Sequence, residues 1–430
     1  MTNNDFAAAE AAALAEDAAD PLARYRDEFL IPESADGTEQ AYFCGNSLGL
    51  QPRATRDAVI GELDDWERLG VEAHFHGKHP WMPYHEFVRE DLAAVVGALP
   101  GEVVAMNSLT ANLHFMMVSF YRPTAERPAI LVEKHAFPSD RYAVESQIRQ
   151  RGFDPAQSLL EVAPLEGESV IATAAICELL EREGRGIATV MLPGVQYLSG
   201  QRFDIATITE CARRQGCTVG WDLAHAIGNV PLQLHDWNAD FAVWCSYKYL
   251  NSGPGAIGGC FVHERHARAV DLPRFAGWWG QQKSTRFAMP ETFTALAGAE
   301  GWQISNPPIL AAAPLIASLE LFELAGMAAL QRKSLALTEF FAASLQALAP
   351  QSIAILTPLD AESHGCQLSL RLRTSPARAR EIHADLEHRG YISDWREPDV
   401  IRAAPVPMYN TFTDAWRFAE ALAQSMAGPS

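Results

Sequence analysis

The sequence predicts an α/β protein: a large, mostly parallel sheet between helix layers, joined to a small α+β domain. Three observations predict this. Between about residues 90 and 310, helix-period stretches alternate with short apolar strands: AILVE (129–133), IATVMLPG (187–194), TVGWDLAH (218–225) and FAVWCS (241–246). That alternation marks a parallel sheet with helices on both faces. From Ile309 to Ala349 the chain is strongly helical, broken by Pro314 and Gly326, and leads out of the large domain. Beyond it, CQLSLRLR (366–373) alternates as a half-buried strand does, and ARAREIHADLEHRG (377–390) has helical period, which together make a second, smaller unit.

The elements divide in order. Residues 1–60 read as an N-terminal arm that contributes to the small domain, with an extended piece, AYFCGNSLGLQP, at 41–52. Residues 61–325 form the large domain and 326–430 the small C-terminal domain. The alanine-rich start, AAAEAAALAEDAAD (7–20), has no basic leader, and Glu10, Glu16 and Asp17 interrupt it. It is expected to be an exposed or frayed helix rather than a signal peptide.

Composition narrows the partners. The net charge of −19 and the absence of any basic run argue against nucleic acid or an anionic membrane. No apolar run approaches the ~18 residues of a membrane span. Seven cysteines (44, 177, 211, 217, 245, 260, 366) are scattered without CxxC spacing. That suits a reducing, cytoplasmic setting, with neither a disulfide framework nor a zinc site expected.

Chemistry enters with two strand ends. WDLAH (221–225) closes one strand and SYKYL (246–250) follows another, so Asp222 precedes Lys248 by 26 residues. In an open α/β sheet, ligands sit beyond the carboxyl ends of parallel strands, where a carboxylate and an amine can meet across one ligand. Pyridoxal 5'-phosphate asks for that pair: a lysine for the Schiff base and an anion for its pyridinium nitrogen.

Other motifs are weighed the same way. SGPGAIGG (252–259) has GxGxxG spacing but leads into the strand CFVHE, so it reads as a turn and not as a dinucleotide site. His74, His76 and His79 cluster in HFHGKHPW without a carboxylate at helical spacing, so no metal is expected and a substrate-lining loop is preferred. Ser108 and Thr110 precede a helix-period segment, which offers either an N-cap or a phosphate site. In AFPSD (136–140), Phe137 can stack on a flat ring and Asp140 can add a second carboxylate. Arg402, in IRAAPVPMYN, is the residue type that receives an α-carboxylate.

Taken together and in order, FCGNSLGLQP, GKHPW, NSLTANLH, AFPSDRYAVESQ, VGWDLAHAIGNV, WCSYKYLN, GWWG, STRF, ISNPPIL and IRAAPVPMYN resemble the kynureninase family, fold-type I, class V-like pyridoxal phosphate enzymes. The resemblance runs over nearly the whole chain. Cysteine desulfurase-like lyases are the alternative, but there a histidine directly precedes the lysine, where this chain has Tyr247. The resemblance implies hydrolytic Cβ–Cγ cleavage of L-kynurenine or 3-hydroxy-L-kynurenine to anthranilate or 3-hydroxyanthranilate plus L-alanine. It implies that Lys248 carries the cofactor and Asp222 its ring nitrogen. Leu109, Thr110, Pro138 and Ser139 belong to the cofactor shell, Phe137 covers the ring, and Asp140 and His225 stand near it. Tyr247 reaches the phosphate and serves in acid–base work. Trp278 and Asn306 are expected to come from the neighbouring subunit of a homodimer with shared sites. Arg402 takes the substrate carboxylate, with Ser47, His74 and Asn306 at the aromatic end.

Overall fold

The computed structural model describes residues 3–269 and 271–427. Its main sheet has seven strands: β1 (Val103–Ala105), β2 (Ala129–Glu133), β3 (Leu159–Val162), β4 (Ile187–Pro193), β5 (Thr218–Asp222), β6 (Phe241–Cys245) and β7 (Gly258–Val262). They lie in the order β1-β7-β6-β5-β4-β2-β3. β3, β2, β4, β5 and β6 are mutually parallel, and β7 runs against both of its neighbours. Strands such as β6 are apolar and buried along their whole length, because helices cover both faces. The parallel run brings the carboxyl ends of β2, β4, β5 and β6 to one edge of the sheet, and the site lies there.

The helices follow the expected alternation: α1 (Asn3–Ala19), α2 (Ala54–Leu69), α3 (Arg89–Val96), α4 (Leu109–Phe120), α5 (Pro138–Gln150), α6 (Thr173–Glu183), α7 (Ile205–Arg214), α8 (Ile309–Ala325), α9 (Met327–Leu348), α10 (Pro376–His388) and α11 (Phe412–Ala427). The small domain is a four-stranded antiparallel sheet, β8 (Ile353–Ile355), β9 (Leu368–Leu372), β10 (Asp394–Arg396) and β11 (Val400–Ala403), in the order β8-β9-β11-β10. Phe43, Phe341 and Phe418 pack ring against ring in its core.

Four sequence expectations change. The helix from Ile309 passes through Pro314 and ends only before Gly326. Proline removes one intrahelical N–H, and at the sixth residue of α8 that costs a single bond, whereas Gly326 has φ +75° and turns the chain. Helix α1 is mostly exposed, as expected, but it is docked rather than frayed: Ala13 is fully buried, and Asp17 accepts from the N–H groups of Phe412 (2.6 Å) and Thr413 (3.0 Å) at the start of α11. Strand β9 exposes only Arg371, since its second face meets the large domain, where Ser369 Oγ donates to Leu198 O. Finally, Cys177 and Cys211 form a disulfide, against the expectation of none. They lie on α6 and α7, which pack side by side, a proximity that a 34-residue separation does not announce. Among the described residues no single helix is long and apolar enough to cross a membrane.

Candidate active site

Three strands end in the groups that make the site. Asp222 is the last residue of β5 and Glu133 the last of β2. β6 ends at Cys245, and the turn that follows carries Tyr247 and Lys248. With the first turns of α4 and α5 they enclose a cavity of about 120 Å³, lined by Leu109, Thr110, Glu133, Phe137, Ser139, Asp140, Tyr197, Asp222, His225, Tyr247 and Lys248 among others. A wider cleft of about 580 Å³ near Thr173, Arg202 and Glu362 shares none of these residues and contains no lysine. Chemistry, rather than size, decides between them.

Lys248 Nζ donates to His225 Nε2 at 3.0 Å. Burial, then the charge of Lys248, holds His225 well below the usual histidine range. The imidazole is therefore neutral with its proton on Nδ1, and this buried Nδ1 has no partner among the described residues. Asp222 Oδ1 accepts from Ala224 N at 2.7 Å. Asp140 is hydrogen-bonded to Asp222, and burial followed by the Asp222 charge pushes it well above the carboxylate range. Asp140 is thus a neutral acid that donates to Asp222. Glu133, 3% exposed, is pushed by burial up to about 8. Three acids share the cavity with one amine, and two of the three keep their protons.

The opposite end of the cavity is built from helix starts. Ser108 occupies the cap position of α4 with extended backbone, yet its side chain makes no capping hydrogen bond. The first N–H groups of α4 are left unpaired by helix geometry, and Thr110 Oγ1 and Ser139 Oγ meet at 2.9 Å beside them. Gly258 lets β7 run directly beneath: a Cβ there would stand 3.1 Å from Leu109 N and 2.8 Å from Trp244 O. The Lys248 turn is braced from the arm, since Gly49 N donates to Tyr247 O at 2.8 Å. A Cβ on Gly49 would lie 2.3 Å from Lys248 O.

Phe137, 41% exposed, sets its ring edge-on to Tyr197 at 5.2 Å. Tyr197 links the cavity to the small domain, because its carbonyl accepts from Arg402 Nη1 at 2.6 Å. Arg402 is 1% exposed. Its Nε and Nη2 both donate to Asp394 Oδ1, at 2.9 and 2.8 Å.

Comparison with known proteins settles the family. The class-V aminotransferase model matches residues 42–374, and the kynureninase C-terminal domain model matches 330–422. The chain is 57% identical over 408 residues to the kynureninase of Xanthomonas euvesicatoria pv. vesicatoria, covering 95% of this chain and 96% of that one. It is 54% identical over 415 residues to the kynureninase of Koribacter versatilis, covering 96% and 97%.

The chain belongs to the kynureninase family.

Among solved structures, an apo cysteine desulfurase from Thermococcus onnurineus aligns with TM-score 0.72 at 17% identity, over 91% of this chain and 95% of that one. C-DES with glycine covalently linked to its PLP cofactor aligns with TM-score 0.73 at 18% identity, over 89% and 96%. At such identities the likeness concerns the fold.

Kynureninases are pyridoxal phosphate-dependent enzymes of fold type I, and the residues present fit that group. An unpartnered buried Asp140 Oδ1 and His225 Nδ1 lie in the same cavity as an uncapped helix start and an amine, so acidic, phosphate-binding and amine-bearing ends are all supplied. Of the kynureninase-like residues expected from sequence, Leu109, Thr110, Phe137, Ser139, Asp140, Asp222, His225, Tyr247 and Lys248 line this one cavity, and Pro138 opens α5 at its edge. Ser47, His74, Trp278, Asn306 and Arg402 do not line it, although Arg402 bonds the carbonyl of Tyr197 in its wall. Trp278 is 44% exposed, and Ser47 and Asn306 are also exposed. The loop histidines turn to different partners: His74 Nδ1 to Val71 O, His76 to Glu72 and His79 to Glu62. Glu133, Tyr197 and Asp394 were missed from sequence. An acid closing an otherwise apolar strand was the available signal for Glu133, whereas Tyr197 and Asp394 become visible only through their contacts in space.

Proposed function

We propose that this cavity carries out the kynureninase reaction: hydrolytic Cβ–Cγ cleavage of L-kynurenine or its 3-hydroxy form, giving anthranilate or 3-hydroxyanthranilate and L-alanine. The observation that carries the assignment is the meeting of Lys248, Asp222 and the α4 start in one cavity, in a chain 57% identical to a kynureninase over 95% of its length. Lys248 would hold pyridoxal phosphate covalently through Nζ, Asp222 its ring nitrogen, and Leu109, Thr110 and Ser139 its phosphate. When bound, the group supplies an electron sink that makes the substrate carbons next to it acidic.

The chain's own residues then divide the work. Asp140, kept neutral, donates to Asp222 and leaves the second carboxylate as the anion facing the ring nitrogen. His225, also neutral, accepts from Lys248 Nζ and fixes where the amine rests. With the cofactor and substrate bound, Lys248 Nζ as a free amine would be the base that takes the substrate's Cα proton. Phe137 covers one face and keeps water from it. Burial, then Cys245, holds the Tyr247 phenol above its ordinary value, so Tyr247 meets the substrate as an O–H donor. It is placed to stabilise the oxyanion formed when water adds to the γ-carbonyl. Arg402 receives the α-carboxylate.

The exposed set Phe275, Trp278, Phe287 and Met289 supports a homodimer in which Trp278 and Asn306 complete the neighbouring site. In the same assembly Ser47 and His74 would approach the aromatic end. The chain's proposed units are an arm (1–60), a large domain (61–325) and a small domain (326–430), and its proposed location is the cytoplasm.

An absorbance spectrum before and after L-kynurenine, with Lys248→Ala alongside, tests the assignment. A visible band that the variant loses or shifts, with growing anthranilate fluorescence in the wild type, is the expected result. A band without anthranilate would refute the substrate, and no band after supplying pyridoxal phosphate would refute the cofactor.

A further inference from the structure

Asp394 and Arg402 face each other on adjacent antiparallel strands, in direct register. The carboxylate is shared. Its Oδ1 takes both Nε and Nη2 of Arg402 and also lies 2.9 Å from Arg396 Nε. Its Oδ2 accepts from Arg396 Nη2 at 3.2 Å. The two guanidinium carbons stand 5.9 and 6.0 Å from the ring centre of Tyr197, which lines the cavity. Both arginines bear on the site, since each adds to the fields that keep His225 neutral.

This arrangement has two consequences. The Nε–Nη2 edge of Arg402 is closed by Asp394. Each terminal nitrogen carries two hydrogens. Asp394 takes one from Nη2 and Tyr197 O one from Nη1, so one on each remains for a two-pronged carboxylate. The second consequence concerns charge. A buried Arg402 paired one-to-one with Asp394 would be a neutral couple with little attraction for an incoming anion. Arg396 makes the group two cations to one anion, and the surplus positive charge is what a carboxylate would meet.

We propose that Asp394 and Arg396 are positioning residues for the substrate's α-carboxylate: Asp394 dictates which edge of Arg402 is offered, and Arg396 restores the net charge that Asp394 would cancel. The proposal rests on the reading of Arg402 as the carboxylate receptor. It assigns opposite effects to the two residues. Removing the Arg396 charge weakens carboxylate binding without disturbing the reacting atoms. Removing the Asp394 charge leaves binding as tight or tighter but opens a second edge of Arg402, so misplaced substrate lowers turnover.

The test is an absorbance titration of the cofactor-loaded protein with L-alanine and with L-alaninamide, in wild type, Arg396→Gln, Arg396→Lys and Asp394→Ala, the last of which removes the Oδ1 that closes the Nε–Nη2 edge. Arg396→Gln should weaken L-alanine on the order of tenfold, equivalent to about 1.4 kcal/mol, and leave L-alaninamide within about twofold. Arg396→Lys should recover most of the loss. With kynurenine, Arg396→Gln should raise KM at near-constant kcat, and Asp394→Ala should lower kcat without raising KM. Equal weakening of both ligands, or no weakening of alanine, overturns the proposal. A wild type that does not distinguish alanine from alaninamide overturns the reading of Arg402 itself.

Discussion

Glu133→Gln should make the cofactor-free protein more stable at neutral pH, by an amount that grows with pH. Glu133 is 3% exposed, and burial lifts it from about 4.5 in the unfolded chain to about 8 in the native state. Below about pH 4.5 both states carry the proton, and the side chain is buried in its neutral form at full advantage. As pH rises, the unfolded chain ionises while the native state holds its proton, so stability falls by about 1.36 kcal/mol per pH unit until the native group ionises as well. Over the about 3.5 units between the two values, the loss reaches ~5 kcal/mol at most. Glutamine keeps the shape and cannot ionise, so it removes the decline, while Asp140 and Asp222 are present in both proteins and cancel in the comparison. Urea unfolding of the two proteins at pH 5, 6, 7 and 8 provides the assay. Their stability difference should be smallest at pH 5 and widen with each step. Parallel profiles would mean that Glu133 is ionised in the native cavity, and the assignment of a neutral acid there would be wrong.

Three further outcomes follow from the same geometry. Tyr247→Phe should slow carbon–carbon cleavage by on the order of a hundredfold, the loss of one oxyanion donor, while the bound-cofactor spectrum persists; unchanged turnover would remove the phenol from the chemistry. If His74 and Asn306 bond a ring hydroxyl across the dimer, 3-hydroxykynurenine should have the higher kcat/KM, because a polar site is left unpaired by the analogue lacking the group; a strong preference for kynurenine would refute this placement. Asp204 caps α7 by accepting from Thr207 N at 3.0 Å, so Asp204→Ala should cost about 1 kcal/mol, read as a lower unfolding midpoint with unchanged kynurenine turnover.

The strands and the Asp222–Lys248 pair were legible because each is announced locally: an apolar β-branched run, a polar end, a lysine after the next strand. The turn reading of SGPGAIGG agrees with φ +82° at Gly253 and +72° at Gly255 and with the strand that follows. What the pair does in space was less legible. Lys248 Nζ rests on His225, and the acid joined to Asp222 is Asp140, from another strand–helix junction. That Ser108 makes no capping hydrogen bond is likewise something no spacing encodes. Asp394 stayed hidden for a similar reason. In sequence it is one acid beside a tryptophan and an arginine, and only the pairing of β10 with β11 sets it against Arg402. The Cys177–Cys211 bridge likewise depends on helix packing alone.

The arm at 41–52 couples parts of the molecule that are far apart along the chain. Ala41 and Tyr42 pair in parallel with Tyr391 and Ile392 of the small domain, and seven residues after Tyr42 the same stretch hydrogen-bonds Tyr247. Ten or so residues thus act as a tie-rod between the small domain, where Ala404 beside Arg402 donates to Phe43 O, and the turn that carries Lys248. A swing of the small domain would be transmitted along this stretch to the backbone of Tyr247, so the small domain and the lysine turn are mechanically geared. A chimera that exchanged only the C-terminal domain would cut that gearing; one that carried the arm along with it would keep the two ends of the substrate in step.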